Sequence, residues 1–286
     1  MDGDEETNRL GGYLRARRAL VTPEQAGIPA GPRRRVAGLR REEVALLAGV
    51  SADYLRLERG RDRNPSPQVL AALARVLHLD EVEHRYLLEL AAPPPRARPR
   101  RRTEQVPARL THLLAAVGVP AFVEGRAFDV LAANPLAVAL SPRLRPGENR
   151  LRSLLLDPEE RLFHADWEAA TAEFVGAFRG SVGDSADDPR VVELVGELSL
   201  ASARFRALWA RHDVRRLPGG TTSVHHPVVG ELHLHRDKLP VAGLTLVLYY
   251  ADTGSPSADA LQLLASLTPP VPSEGARPGP DSAATA

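Results

Sequence analysis

The stretch from residue 41 to residue 58, REEVALLAGVSADYLRLE, has the spacing of a helix-turn-helix motif. A small side chain at Ala45 would let the second helix approach the first closely, and Gly49 can adopt the positive φ of a tight turn. Val50 and Leu55 fall where apolar side chains would fill the space between the helices. The pattern therefore predicts a helical DNA-binding motif.

The segments around this motif also have a helical period, so the sequence predicts five short helices before residue 92. Ser51 and Ser66 each stand where an N-cap residue is expected, and Pro67 follows at the first helical position. Asp80, with Glu81 and Glu83, places acidic side chains in the first turn of a helix. The helices are expected around residues 10–17 and over residues 40–48, 51–59, 66–77 and 80–90.

The charge of the chain is unevenly distributed, although the net charge is only +1. Residues 1–102 carry 20 arginines against 14 acidic residues, a net charge of +6 that favours a polyanionic partner. The remaining residues carry 17 basic and 22 acidic side chains, a net charge of −5. A solvated helical face would explain a basic segment equally well, so the charge alone does not indicate DNA binding. The helix-turn-helix motif distinguishes the two interpretations.

The composition divides the chain into domains. Four prolines between Ala92 and Arg102 cannot continue a helix, and they predict a stiff linker. The last segment is rich in Pro, Gly, Ser and Ala and predicts a disordered tail. We therefore expect a disordered start at 1–8, a helix-turn-helix domain at 9–91, a linker at 92–105, a second domain at 106–268 and a tail at 269–286.

The second domain shows strand-like segments, then helical segments, then strand-like segments, an order that predicts an α+β fold. A helix over 106–117 leads to a hairpin formed by 120–123 and 128–131. Helices are then expected over 158–180 and 188–209, and strands over 221–226, 231–238 and 244–250.

Six motifs resemble those of the MmyB-like regulators, bacterial transcription factors with an N-terminal helix-turn-helix of the xenobiotic-response-element type. The motifs are GGYLRARR at 11–18, GLRREEVA at 38–45, DY at 53–54 with LERGR at 57–61, LWARHDV at 208–214, HPVVGEL at 226–232 and GSPSA at 254–258. The resemblance implies an α+β protein overall. An all-α five-helix DNA-binding domain would precede a PAS-like α+β domain, an antiparallel sheet with helices over one face. It also implies an apolar cavity for a hydrophobic, fatty-acid-like small molecule.

The recognition helix departs from the family pattern. One residue is missing between Tyr54 and the Leu57–Glu58 pair, which rotates everything after the deletion by about 100°. Glu58 then takes a position that is usually apolar. We therefore expect the helix to end early or to unwind at this point.

The motif assigns eight residues to double-stranded DNA, which we expect a homodimer to bind. Arginines on the flanks would contact phosphates, and the first turns of the recognition helix would face the bases. The phosphate contacts are Arg40, Arg41, Arg61 and Arg63, and the residues nearest the base edges are Ser51, Ala52, Asp53 and Arg56.

Six aromatic residues of the second domain are candidates for an apolar ligand pocket, although each alone is more often a core residue. They are Phe122, Phe128, Trp167, Phe174, Phe178 and Trp209. His233 and His235, with His225 or His226, could alternatively form a metal site, but solvated histidines on a sheet face explain the same pattern.

Several functions are disfavoured by the sequence. The absence of cysteine excludes disulfides, a thiolate nucleophile and Cys-ligated metal clusters. No catalytic motif and no cofactor motif is present, and no apolar run is long enough for a membrane span, so we expect a cytoplasmic protein that is not an enzyme. Two rival functions remain: a protein-interaction module that no longer reads DNA, and a small-molecule enzyme with a regulatory helical domain.

Overall fold

A computed structural model describes residues 8–29, 34, 36–60, 65–92, 104–183, 187–217 and 219–268. The predicted disordered segments at 1–7 and 269–286, and linker residues 93–103, lie outside the described residues. So do Arg61 and Arg63 and the side chains of Ser51, Ala52 and Asp53.

The first domain contains the five predicted helices. Their bounds are α1 (Arg9–Leu20), α2 (Arg41–Ala48), α3 (Ser51–Glu58), α4 (Pro67–Val76) and α5 (Glu81–Ala91). The predicted cap at Ser66 and the predicted acidic helix start at Asp80 are confirmed. The Ser66 side chain accepts a hydrogen bond from the amide of Val69, and Asp80 forms a reciprocal capping box with Glu83 at 2.8 and 3.0 Å.

The predicted cap at Ser51 is wrong, because the turn between α2 and α3 uses two residues. Gly49 has a φ of 68° and ends α2, and Val50 occupies the N-cap position of α3 without a side-chain hydrogen bond. Ser51 is consequently the first helical residue. The positive φ predicted for Gly49 is confirmed.

The core of the first domain is built from side chains of all five helices. Leu57 is fully buried in this core, together with Tyr13, Leu14 and Tyr54. The prediction that Leu55 fills the core is wrong, because Leu55 is only half-buried. Tyr54 and Leu57 are three residues apart and therefore share the inward face of α3.

The second domain is an α+β structure around a five-stranded antiparallel sheet, as the resemblance predicts. The strand order is β2-β1-β5-β4-β3. The elements are α6 (Ala108–Ala116), β1 (Ala121–Glu124), β2 (Val130–Ala133), α7 (Pro135–Leu140), a short 3-10 helix (Pro142–Leu144), α8 (Arg150–Leu156), α9 (Pro158–Phe163), α10 (Trp167–Ser181), α11 (Pro189–Ala201), α12 (Ala203–Ala210), β3 (Gly220–His226), β4 (Gly230–Val241), β5 (Leu244–Tyr250) and α13 (Pro256–Leu267).

Both faces of the sheet are covered by helices, so the expectation of helices over one face is incomplete. Phe122, Val247 and Tyr249 pack with residues of α7 and α13 on one face. On the other face, Ala121, Val123, Leu244 and Leu246 pack against Leu110 and Leu114 of α6.

The predicted hairpin is present, but its second strand begins two residues later than expected. Phe128 has a φ of 63°, a conformation that costs energy for a bulky side chain and that a strand cannot include. Its ring is held by edge-to-face contacts with Phe174 and Phe178, at centroid distances of 5.9 and 5.8 Å. Phe128 therefore lies in the turn, and β2 starts at Val130.

Each of the two long helices predicted in this domain is divided in the structure. Asp166 caps α10 by accepting a hydrogen bond from the amide of Ala169 at 2.9 Å. Ser202 caps α12 in the same way, accepting from the amide of Phe205 at 3.1 Å. The helical periodicity was correct on both sides of each break, but the caps start a new helix.

The full burial of Leu57 and the partial burial of Leu55 can be tested by alanine substitution. Leu57→Ala should lower the free energy of unfolding by about 2–5 kcal/mol, because it leaves a cavity in a closed core. Leu55→Ala is the matched control on the same helix and should cost clearly less. Urea unfolding followed by circular dichroism measures both, and a larger loss for Leu55→Ala would contradict the register described here.

Candidate DNA-binding and ligand-binding sites

The helix-turn-helix carries exposed arginines where the sequence predicts DNA contacts. Arg40 is exposed just before α2, and Arg56 is exposed on α3. Arg41, at the first position of α2, is partly exposed, and its guanidinium is engaged with another side chain.

That side chain is Glu58, which ends α3 and which sequence reasoning did not identify as an ion-pair centre. Its carboxylate is completely inaccessible. Arg18 donates a hydrogen bond to Oε1 at 2.7 Å, Arg41 donates to Oε2 at 3.0 Å, and Nε of Arg15 lies 3.7 Å from Oε1. A buried carboxylate is tolerated only when it is paired in this way.

The Glu58 ion-pair network lies at the C-terminal end of the short recognition helix. α3 ends at Glu58, as expected from the missing residue, and Gly60 follows with a φ of 69°. Three guanidinium groups surround one carboxylate, so the site has a net charge of +2 at the surface of the helix-turn-helix. Arg41 is thereby oriented by Glu58 rather than by solvent.

Five of the six predicted pocket aromatics lie together in the second domain, in what we call the aromatic cluster. Its members are Phe128, Trp167, Phe174, Phe178 and Trp209. Phe178 is 5.9 Å from Trp209 between ring centroids, and Trp167 donates its indole hydrogen bond to the carbonyl of Leu154 at 2.7 Å. Phe122 packs in a different apolar cluster, under the sheet.

Three basic side chains lie between the sheet and the aromatic cluster. Arg150 of α8 is only 5% exposed and Arg236 of β4 only 9% exposed, and Lys238 follows on the same face of β4. All three cationic groups lie within 6.0 Å of the ring centroid of Phe174. We call Arg150, Arg236 and Lys238 the buried cation cluster; sequence reasoning did not identify it.

The positive charges of this cluster are only partly balanced by neighbouring carboxylates. Lys238 forms an ion pair with Glu124, whose second carboxylate oxygen has no hydrogen-bond partner. Among the residues that the structure describes, no carboxylate lies within 4.0 Å of Arg150 or Arg236, and the Nε atom of each is buried without a partner. Burial lowers the pKa of Lys238 below its ordinary value, although Glu124 acts in the opposite direction.

Two cavities border the second domain, and the first of them also borders α5 of the DNA-binding domain. One has a volume of about 530 Å³ and is lined by Phe128, Lys238 and Glu124, so it borders both the aromatic cluster and the buried cation cluster. The other is an apolar groove of about 910 Å³ beside α7, α9 and the β3–β4 turn, with Phe163 and Leu264 among its walls. None of the six predicted aromatics lines the groove.

The histidines considered for a metal lie on both faces of the sheet, and His225 is exposed on the same face as His233 and His235. His233 and His235 lie on the outer face, where they contact Ser223 at 2.8 Å and Asp252 at 2.9 Å, respectively. His226 is buried on the other face, against the carbonyl of Ala139. Within the described ranges, no group of three or more histidine or acidic side chains is arranged around a common metal position.

Comparison with known families agrees with this architecture. Residues 106–264 match the MmyB-like transcription regulator ligand binding domain, which is more than half of the chain. The chain belongs to the MmyB-like transcription regulators. Residues 9–87 match a helix-turn-helix domain, so this MmyB-like regulator is a DNA-binding protein. A comparison with curated proteins found no match. None of the described helices is both long enough and apolar enough to cross a membrane.

The position of Phe128 depends on its neighbour Asp129. The Asp129 carboxylate accepts hydrogen bonds from Arg190 at 2.6 and 3.0 Å and from Asn149 at 2.8 Å, which ties the hairpin turn to α11 and α8. Burial raises the pKa of Asp129, but the hydrogen bonds from Arg190 and Asn149 outweigh it and hold the pKa below its ordinary value.

The Glu58 network predicts an unusual outcome for a substitution that restores the usual apolar residue. Glu58→Leu should lower the free energy of unfolding by about 3–5 kcal/mol, because it leaves the guanidinium of Arg18 buried without a counter-ion. Glu42→Leu, at an exposed position of α2, should change it by less than about 0.5 kcal/mol. Equal effects of the two substitutions in urea unfolding would show that the network does not stabilise the fold.

Asp129 predicts a pH dependence of stability. Because its pKa is lower in the folded state, its contribution is present above the unfolded-state pKa and is lost as the pH falls through the acid range. Asp129→Asn should therefore lower the melting temperature at neutral pH and reduce its decrease on acidification. The exposed Asp187→Asn should leave the pH profile unchanged, and identical profiles for both variants would exclude this role of Asp129.

Proposed function

We propose that this MmyB-like regulator recognises a specific operator through α3 and that a hydrophobic acid bound in its second domain controls its affinity for DNA. The observation that carries the ligand proposal is the buried cation cluster, in which two guanidinium groups lie against phenylalanine rings without a carboxylate partner.

For DNA, we propose that basic residues around the helix-turn-helix contact phosphates and that the start of α3 faces the bases. The exposure of Arg40 and Arg56, and the positive charge around Glu58, support this division. The proposed phosphate contacts are Arg40, Arg41, Arg61 and Arg63, and the proposed base-edge residues are Ser51, Ala52, Asp53 and Arg56. Binding as a homodimer would place two copies of α3 on two half-sites.

For the ligand, the cost of burying charge is the starting point. Burial lowers the pKa of Arg150, but the neighbouring Tyr249, Glu160 and Glu124 outweigh it and raise the pKa, so this charge is partly compensated. Neither Arg150 nor Arg236 forms a salt bridge among the described residues, and both therefore favour an additional anion. A carboxylate is planar and can accept paired hydrogen bonds from a guanidinium group. We therefore propose that the acidic group of the ligand binds between Arg150 and Arg236.

The surroundings of these cations suit an apolar ligand body. The ring centroids of Phe122 and Phe174 lie 5.7 and 5.5 Å from the guanidinium carbon of Arg150. Of the buried cation cluster only Lys238, and of the six aromatic residues only Phe128, lines the cavity of about 530 Å³, which has the volume of an ordinary small-molecule site. We propose that Phe122, Phe128, Phe174 and Phe178, with Trp167 and Trp209 behind them, surround the apolar part of the ligand.

The DNA proposal predicts different losses of DNA-binding free energy when two arginines are replaced by alanine. Arg56→Ala should cost about 1–3 kcal/mol on the operator and relax specificity at one base pair, whereas Arg61→Ala should weaken binding to all sequences alike. The measurement is binding to DNA from the region upstream of the gene and to random duplex of equal length, across a salt series. Wild-type protein should prefer the upstream DNA by about two orders of magnitude or more.

Equal losses on specific and random DNA for both variants would refute this division of roles. Equal and steeply salt-dependent affinity of the wild-type protein for both duplexes would favour a general polyanion binder over a sequence reader.

The ligand proposal predicts selectivity for an acid. Dodecanoate should bind the full chain in a calorimetric titration, and dodecanol should bind at least about tenfold more weakly. Arg150→Met should weaken dodecanoate binding by about 10- to 100-fold, because it removes a charged hydrogen-bond donor. The melting temperature of this variant is measured as well, because Arg150 also interacts electrostatically with Tyr249, Glu160 and Glu124.

The controls separate the two cavities. Arg145→Met removes an exposed arginine and should leave binding unchanged. Leu162→Glu places a charge at the exposed edge of the apolar groove and should also have no effect. Loss of dodecanoate binding in Leu162→Glu, with normal binding in Arg150→Met, would move the ligand site to the groove.

A further inference from the structure

The cavity of about 530 Å³ is shared by both domains. On one side its walls are Phe128, Lys238 and part of α10. On the other side its walls come from α5 of the DNA-binding domain, including Val82, Arg85 and Tyr86. A molecule that fills this cavity would therefore touch both domains.

Residues 212–217, which we call the connecting segment, lie along the same cavity. Val214 lines the cavity and is also a member of the core cluster of the DNA-binding domain. Asp213 lies 3.6 Å from the guanidinium of Arg17 on α1. The connecting segment is thus packed into the DNA-binding domain although it belongs to the second domain in sequence.

The connecting segment is also held tightly against α10. The amide of Arg215 donates a hydrogen bond to the carbonyl of Gly176 at 3.1 Å. At Gly180 a Cβ atom would lie 2.9 Å from the carbonyl oxygen of Arg215, so only glycine permits this approach. The segment therefore has close neighbours in both domains and cannot shift without moving one of them.

A histidine completes the contact between the domains. A Cβ atom on Gly12 of α1 would lie 3.4 Å from the His212 ring, which also contacts Arg179 of α10 at 3.3 Å. Burial, together with the charge of Arg179, lowers the pKa of His212 to about 4, so the ring is neutral at physiological pH. Neutral His212 can accept a hydrogen bond from the Arg179 guanidinium.

The cavity walls favour an anion with an apolar body. Four cationic side chains and two carboxylates line the cavity, a net charge of +2, and most of the other walls are apolar. The charged residues are Arg85, Arg215, Arg216, Lys238, Glu89 and Glu124.

We propose that α5 of the DNA-binding domain forms one wall of the ligand site, so that the bound acid contacts that domain directly and fixes its position through the connecting segment. This inference rests on the proposed function, because it assumes that the ligand is an apolar acid. Ligand binding and operator binding are then coupled by direct contact between the ligand and the DNA-binding domain, and not by a change transmitted through the sheet. By linkage, dodecanoate must change operator affinity by the same factor by which the operator changes dodecanoate affinity.

The experiment is a calorimetric titration of the full chain with dodecanoate, using charge reversals on two helices of the DNA-binding domain. Arg85→Glu places a negative charge at the cavity wall and should weaken dodecanoate binding by about threefold to tenfold. Arg75→Glu makes the same change at an exposed position of α4 that does not line the cavity. It should leave the affinity within about twofold of wild type.

A second pair of substitutions tests the cavity wall by side-chain size, without a change of charge. Val82→Trp should fill part of the cavity and weaken dodecanoate binding by about tenfold or more, whereas Leu88→Trp, exposed on the same helix, should not. Melting temperatures identify any variant that fails to fold, in which case the Arg85 and Arg75 pair decides.

The outcomes separate this inference from the proposed function. One outcome is that dodecanoate binds the wild-type protein, that Arg150→Met weakens this binding, and that neither Arg85→Glu nor Val82→Trp changes the affinity. This outcome would support the proposed ligand site and would contradict the proposal that α5 forms one of its walls. If dodecanoate does not bind the wild-type protein, the proposed ligand class fails and this inference fails with it.

Discussion

The burial of charge governs both halves of this protein, and it does so with opposite results. In the DNA-binding domain, the buried carboxylate of Glu58 has three guanidinium groups around it and is compensated within the chain. In the second domain, Arg150 and Arg236 are buried beside phenylalanine rings, and no carboxylate of the described residues lies within salt-bridge distance. The first arrangement is balanced by ion pairs within the chain, whereas the second has no salt bridge to Arg150 or Arg236 and is the basis on which we propose an acidic ligand.

The position of the buried cation cluster is the basis on which we propose that the ligand affects the DNA-binding domain. Lys238 lies at the boundary between the cluster and the cavity that α5 helps to form. The connecting segment borders the same cavity and contributes Val214 to the core of the DNA-binding domain. An acid held by the cations would therefore occupy space next to the helices that support α3. Such an arrangement couples two sites by direct contact, which requires no long chain of intermediates.

Local sequence signals predicted much of the fold. The five N-terminal helices, the caps at Ser66 and Asp80, and the strand from Leu244 to Tyr250 depend on near neighbours in the chain. The short helices α7, α8 and α13 were not predicted, and the turn conformation of Phe128 follows from distant ring contacts. The sequence contains one pattern from which two of the buried cations could have been predicted. Arg236 and Lys238 continue the alternation of Leu232 and Leu234 in β4, which places them on the buried face. Arg150 had none, because its partners are more than twenty residues away.

We propose that Arg150 and Arg236 hold the acidic group of the ligand. A crystal structure of the full chain with a dodecanoate that carries a terminal bromine atom, located by its anomalous signal, would test this. The carboxylate oxygens should lie about 2.7–2.9 Å from both guanidinium groups, and the alkyl chain should extend among the phenylalanine rings. A carboxylate located in the apolar groove beside α9, with Arg150 and Arg236 unchanged, would contradict it.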